Sequence, residues 1–99
     1  MITEIASLTI DPANAGEFEA AVSKASAVLR QAAGCRSMEL TRVTEDPAQY
    51  RLIVQWDRVE DHMVVFRESD LFGQWRALAG PYFVAPPKVE HIESVGRYF

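Results

Sequence analysis

The sequence predicts an α+β domain whose elements run strand, helix, strand, strand, helix, strand. Three observations predict it: alternating apolar residues in four short stretches, two stretches with apolar residues every three or four positions, and a short link between the second and third strands. Ile2 to Ile10 places Ile2, Ala6, Leu8 and Ile10 on one parity and Thr3, Ile5, Ser7 and Thr9 on the other, which reads as the first strand. Asp11-Pro12-Ala13-Asn14 breaks it, and Asn14 followed by Glu17 resembles a capping box that opens a helix. Phe18, Ala21, Val22, Ala25, Val28, Leu29 and Ala32 draw one apolar stripe along that helix, with Gly34 as its stop. Cys35 to Thr44 and Tyr50 to Trp56 read as two strands around the turn cluster Glu45-Asp46-Pro47. So short a link suits antiparallel neighbours and excludes parallel ones.

After Trp56, Asp57 is placed to cap a helix with Val59, His62, Met63 and Phe66 inward and Glu60, Asp61, Arg67 and Glu68 toward water. A second short helix starts at Ser69 or Asp70, repeats Leu71, Phe72, Trp75, Leu78 and Ala79, and ends at Gly80-Pro81. Lys88 to Val95 alternates again as a fourth strand. The order βαββαβ is the ferredoxin-like arrangement, in which right-handed crossovers place both helices on one face of a four-stranded antiparallel sheet. The other face is then bare, yet strands one to three carry apolar residues on both parities: Ile5 and Leu8, Val43 and Leu40, Ile53 and Val54. A second copy of the chain is the nearest cover, so a homodimer is expected. Burying about 600 Å² of apolar surface would contribute on the order of 15 kcal/mol before association costs.

A chain of 99 residues holds one core and therefore one domain, spanning 1–99. A net charge of -4 leaves no basic stripe for phosphates, so nucleic-acid binding is not expected. The single cysteine, Cys35, permits neither an internal disulfide nor a cysteine-based zinc site. No basic leader precedes Ile2, and no stretch reaches the roughly 20 apolar residues of a membrane span, so a cytoplasmic protein is expected.

Candidate site residues are few. His62, beside Val59, Met63 and Phe66, is either a general base or a boundary histidine with one hydrogen bond. His91 lies on the parity of Val89 and Val95, facing either the interior cleft or a partner subunit. The two histidines lack the spacing of a metal motif, and no metal is predicted. Trp75, Arg76 and Tyr82 flank the short second helix and would suit a planar, anionic ligand through stacking and charge-assisted hydrogen bonds, although aromatics at helical spacing also serve as core. Cys35 has no histidine or lysine beside it to activate a thiolate.

Val54-Gln55-Trp56-Asp57, then a helix, then Phe66-Arg67-Glu68-Ser69-Asp70-Leu71-Phe72, and a last strand introduced by Pro87-Lys88-Val89, resemble the antibiotic-biosynthesis monooxygenase family over nearly the whole chain. The resemblance implies a dimeric α+β barrel and an activity among cofactor-independent oxygenases of aromatic polyketides and quinols, heme-degrading enzymes, or proteins without assigned chemistry. Heme-degrading members use an Asn on the first strand, a Trp on the next helix and a His on the short helix. Those places hold Ala6, Phe66 and Arg76 here, so heme and its chemistry are not expected and no cofactor is called for. Many quinol-oxygenase-like members carry a His where Phe66 stands.

Three functions are weighed. In the first, a cofactor-free monooxygenase deprotonates a small phenol or quinol with His62 or His91, positions it against Phe66, Trp75 and Tyr82, and stabilises the anion with Arg76 or Arg51. The second is a non-catalytic ligand-binding or interaction module. The third is an isomerase on the same fold.

Overall fold

A central strand, β1 (Ile2–Thr9), is flanked on one side by β3 (Gln49–Trp56) and on the other by β4 (Lys88–Ile92), with β2 (Cys35–Arg42) outside β3. The computed structural model describes all 99 residues, and every strand pair in it is antiparallel. Two helices, α1 (Ala15–Leu29) and α2 (Asp70–Ala79), complete the ferredoxin-like α+β order, with a π-helical turn (Asp61–Phe66) between β3 and α2. No helix is long and apolar enough to cross a membrane.

Strand register determines which side chains meet. Glu4 stands opposite Val54 on β3 and His91 on β4, and Ala6 opposite Leu52 and Val89. Because strand side chains alternate, Glu4, Ala6 and Leu8 share the helix-covered face with Tyr50, Leu52, Val54 and Trp56, all of them buried. Phe18, Val22, Ala25, Val28 and Leu29 of α1 and Trp75 and Ala79 of α2 close over that face. Phe18 meets Tyr50 edge-on at 5.0 Å, a geometry that adds about 0.5–1.5 kcal/mol to simple burial.

Local structure departs from the sequence expectations at five places. Asn14 makes no side-chain cap; Asp11 instead accepts the Ala13 N–H in a 3₁₀ turn, Pro12–Asn14, ahead of α1. Helix α1 ends at Leu29, five residues before Gly34. Asp57 caps nothing, because Arg36 holds its carboxylate through two hydrogen bonds of 2.6 and 2.7 Å. Asp61, expected in water, is buried and takes Arg58 at 2.9 Å, while Met63 is solvent-exposed, since the widened turn reverses the facing of these two and keeps His62 and Phe66 inward. Finally, β4 stops at Ile92, and Val95, Tyr98 and Phe99 beyond it are exposed.

Gly34 has φ +79°, and the space a Cβ would fill is taken by the Asp61 carboxylate. Gly34→Ala is expected to lower the unfolding free energy by about 1–3 kcal/mol through backbone strain, with the displacement of Asp61 adding to it. Thermal denaturation checks this, and a loss below half a kcal/mol would show that the loop adapts freely.

The open face is more polar than the expected greasy surface. Ile5 and Ile53, paired across β1 and β3, and Ile92 are its apolar members, set among Thr3, Ser7, Gln55, Arg51, Glu39 and Glu90. The correction follows from register: Leu40 and Val54 face the helices, and Val43 falls beyond the end of β2.

Candidate functional site

Between the sheet and the π turn and α2 lies a cavity of ≈ 160 Å³. Its floor is Ala6, Leu8, Leu52 and Val89; Phe66, Phe72 and Trp75 form an aromatic wall, and Glu4, His62, Arg67 and Arg76 supply its polar atoms. The wall follows from the local fold. In the π turn the Arg67 N–H donates to the His62 carbonyl, an i→i+5 bond of 3.3 Å, so His62, Phe66 and Arg67 all line one cavity. Ser69 ends the turn by donating its hydroxyl to the Phe66 carbonyl at 2.7 Å, and α2 begins at the next residue, bringing Phe72 edge-on to Phe66 at 5.7 Å.

The polar atoms form a string. Trp56 Nε1–H donates to Glu4 Oε1 at 3.0 Å, His62 Nε2 lies 3.4 Å from the same oxygen, and His62 Nδ1 is 2.9 Å from His91 Nε2. The imidazole of His62 stacks on Trp56 at 5.1 Å with 19° between planes, which fixes the ring's orientation. Burial pushes the Glu4 carboxyl up to about 7, against the Trp56 N–H and the charge of Arg67, which pull it down. Burial also depresses His62 to about 4, with His91 and Arg67 adding to the effect. The approach of His62 to Glu4 would be an ion pair only with a charged imidazole. Burial disfavours that charge, so at 3.4 Å the two groups are in close approach without an ion pair.

Arg67 and Arg76 each stand 5.8 Å from the centroid of Phe72, and neither forms a salt bridge. Two unpaired guanidinium groups over one aromatic ring at a cavity suit a planar anion. No three His, Cys, Asp or Glu side chains converge to hold a metal ion.

Of the residues singled out in the sequence, His62, Phe66, Trp75 and Arg76 line this cavity, and His91 stands behind His62. Arg51 and Tyr82 are elsewhere. Arg51 has the outward parity of β3 and donates to the Tyr50 carbonyl at 3.0 Å, placing it on the opposite side of the sheet. Tyr82 packs on Phe18 and faces a surface groove between α1 and α2. Sequence reasoning missed Glu4, Arg67 and Phe72. For Glu4 a signal existed: a carboxylate at the inward parity of a strand, between Ile2 and Ala6, is a charge placed where burial is unavoidable.

A family model described as antibiotic biosynthesis monooxygenase matches residues 1–78. The chain belongs to the antibiotic biosynthesis monooxygenase family. An uncharacterised Bacillus subtilis (strain 168) protein, YczJ, is 33% identical over 95 residues, covering 96% of this chain and 100% of that one. The crystal structure of a candidate antibiotic biosynthesis monooxygenase from Bordetella bronchiseptica is 42% identical, with a TM-score of 0.92 over 95% of this chain and 96% of that chain. SnoaB from Streptomyces nogalater, described as a cofactor-independent oxygenase, shares the fold at 14% identity with a TM-score of 0.74, over 97% of this chain and 94% of that one. A dimeric barrel is the usual arrangement of antibiotic biosynthesis monooxygenases, and members are typically dimers.

Proposed function

We propose that this member of the antibiotic biosynthesis monooxygenase family inserts one atom of dioxygen into a single-ring phenol or quinol bearing an acidic substituent, without metal or flavin. The observation that carries the reading is the cavity: aromatic on one wall, acid–base on another, with two unpaired guanidinium groups. Family membership supports the oxygenase class, and the description of SnoaB supplies a precedent on the same fold for oxygenation without a cofactor. Volume selects the substrate. About 150 Å³ of apolar cavity holds one benzene ring, whereas drug-sized ligands need roughly 300–1,000 Å³. The ≈ 160 Å³ found here therefore favours one ring over a fused polyketide.

The reaction balances with dioxygen as sole oxidant: a hydroquinone and O₂ give a hydroxyquinone and water. Deprotonation of the ring hydroxyl makes an electron-rich anion, which passes one electron to O₂; the two radicals combine at a ring carbon, and the peroxide loses water. The protein's part is to take the proton at the Glu4–His62 wall, hold the ring against Phe66 and Trp75, and offset the anion with Arg67 and Arg76. For assembly, the reading is a homodimer packed through the open sheet face around Ile5 and Ile53, which light scattering at low concentration tests.

Oxygen uptake with 2,5-dihydroxybenzoate, and one ¹⁸O atom in the product from ¹⁸O₂, are the expected results. Absence of both would remove the oxygenase reading. Arg76→Leu is expected to raise KM for the acidic quinol by about tenfold or more while leaving that for plain hydroquinone within a factor of three, because a lost charge-assisted hydrogen bond costs about 1.5–3 kcal/mol. Equal changes for both substrates would show that the guanidinium does not read the acidic group.

A further inference from the structure

Three ionisable side chains stand in series from the cavity to the sheet edge: Glu4 on β1, His62 in the π turn and His91 on the edge strand β4. Glu4 and His62 are 5% and 4% exposed, His91 is half-buried, and no buried polar side-chain atom in the protein lacks a partner. Donor counting gives this string two complete states. Trp56 Nε1–H can only donate, so Glu4 Oε1 accepts from it in both. With Glu4 ionised, His62 Nε2–H faces the carboxylate at 3.4 Å and His91 Nε2–H donates to His62 Nδ1. With Glu4 protonated, its O–H faces the bare Nε2 of His62, whose proton now sits on Nδ1 and is donated to His91 Nε2. Each state sets a proton against a lone pair across the 3.4 Å between Glu4 and His62 and keeps the 2.9 Å hydrogen bond between His62 and His91, with a change of tautomer at both imidazoles.

We propose that Glu4 is the proton shuttle of the cavity, base in the first half of the reaction and acid in the second, and that His62 and His91 are positioning residues that turn a proton or a lone pair toward it to match each protonation state. The assignment rests on the oxygenase reading above and deepens it. In the first half the Glu4 carboxylate takes the ring hydroxyl proton; in the second the Glu4 O–H returns that proton to the peroxide anion formed from substrate and O₂, and the O–O bond then breaks with loss of water. No net proton enters or leaves, so a single carboxyl suffices.

His62 is the poorer base of the two, since burial, His91 and Arg67 hold it near 4, whereas Glu4 near 7 is matched to transfer in both directions at neutral pH. The charged and titratable groups around Glu4 are His62 from the π turn and Arg67 just after it, His91 from β4, Cys35 from β2, whose thiol is pushed up by burial and then by Glu4, and Arg76 from α2 across the cavity.

The test compares wild type with Glu4→Gln, Glu4→Asp and His91→Gln, reading kcat from oxygen uptake with 2,5-dihydroxybenzoate and binding from quenching of tryptophan fluorescence by salicylate, which carries no second hydroxyl to oxidise. Wild-type kcat is expected to rise with pH through a midpoint near 7. Glu4→Gln should lose about 10²–10⁴ in kcat with salicylate binding within threefold. Glu4→Asp, which keeps the carboxyl but withdraws it by one methylene, should lose at least tenfold in kcat. His91→Gln should move the pH midpoint of kcat by half a unit or more, a shift that a merely structural role would not produce. Glu4→Gln or Glu4→Asp retaining full kcat, or an unmoved midpoint in His91→Gln, overturns the shuttle while wild-type turnover keeps the oxygenase reading. No oxygen uptake by wild type overturns that reading itself.

Discussion

Replacing Trp56 by alanine is expected to lower the unfolding free energy by about 3–5 kcal/mol, about a fifth or more of the stability of an ordinary domain. Trp56 is fully buried, stacks on His62 and lies 5.5 Å from Phe66 at 45°, so its removal takes away the packing behind these two members of the cavity wall. It also removes the N–H that holds Glu4 Oε1 at 3.0 Å. Trp56→Phe separates the two effects. It keeps most of the volume, is expected to cost about 1–3 kcal/mol for the lost donor to a buried carboxyl, and should raise Glu4 further, since that hydrogen bond is what pulls it down. Urea denaturation of both variants checks the order. If Trp56→Ala costs less than 1.5 kcal/mol, the ring is not the keystone of that wall.

How much of this was legible in the sequence depends on what kind of signal each element carries. The strands and α1 were visible because period-two and period-3.6 patterns are imposed by burial of one face, and Tyr50, Leu52, Val54 and Trp56 all lie inward as alternation required. The π turn was not. An α-helical wheel through Val59, His62, Met63 and Phe66 assumes i→i+4 bonds, and the i→i+5 bond from Arg67 to His62 turns Met63 out and Asp61 in. Nothing in residue type announces that widening. Arg51 was drawn to the site by charge alone, although its parity with Ile53 on β3 already placed it on the far face. Tyr82 was grouped with Trp75 by nearness in sequence, whereas the turn Gly80–Tyr82 aims it at Phe18. Glu4 is invisible to a reading by residue type, since carboxylates are mostly at the surface, whereas its parity with Ala6 and Leu8 carries the information.

The pairing of Glu4 with His62 has a consequence for stability that neither residue would show alone. Glu4 has its carboxyl raised from 4.5 to about 7 in the folded state, so the fold binds that proton more tightly than the unfolded chain does, and stability falls as pH rises through this window. His62 is lowered from 6.5 to about 4, so the unfolded chain binds that proton more tightly, and stability falls as pH drops through that one. Each shift corresponds to about 3 kcal/mol at 1.36 kcal/mol per unit of pKa. The windows overlap with opposite slopes, and the pair's joint contribution is expected to stay nearly constant from about pH 4 to 7.

Removing either partner unmasks the other. Relative to wild type, Glu4→Gln should gain about 3 kcal/mol in unfolding free energy between pH 4 and 7, because only the histidine's window remains. His62→Gln should lose about 3 kcal/mol over the same range, because only the carboxyl's window remains. Groups outside the pair titrate alike in all three proteins and cancel in the differences. Urea midpoints at pH 4, 5.5 and 7 measure this directly, and three parallel curves would mean that Glu4 and His62 do not carry opposed protons in the fold.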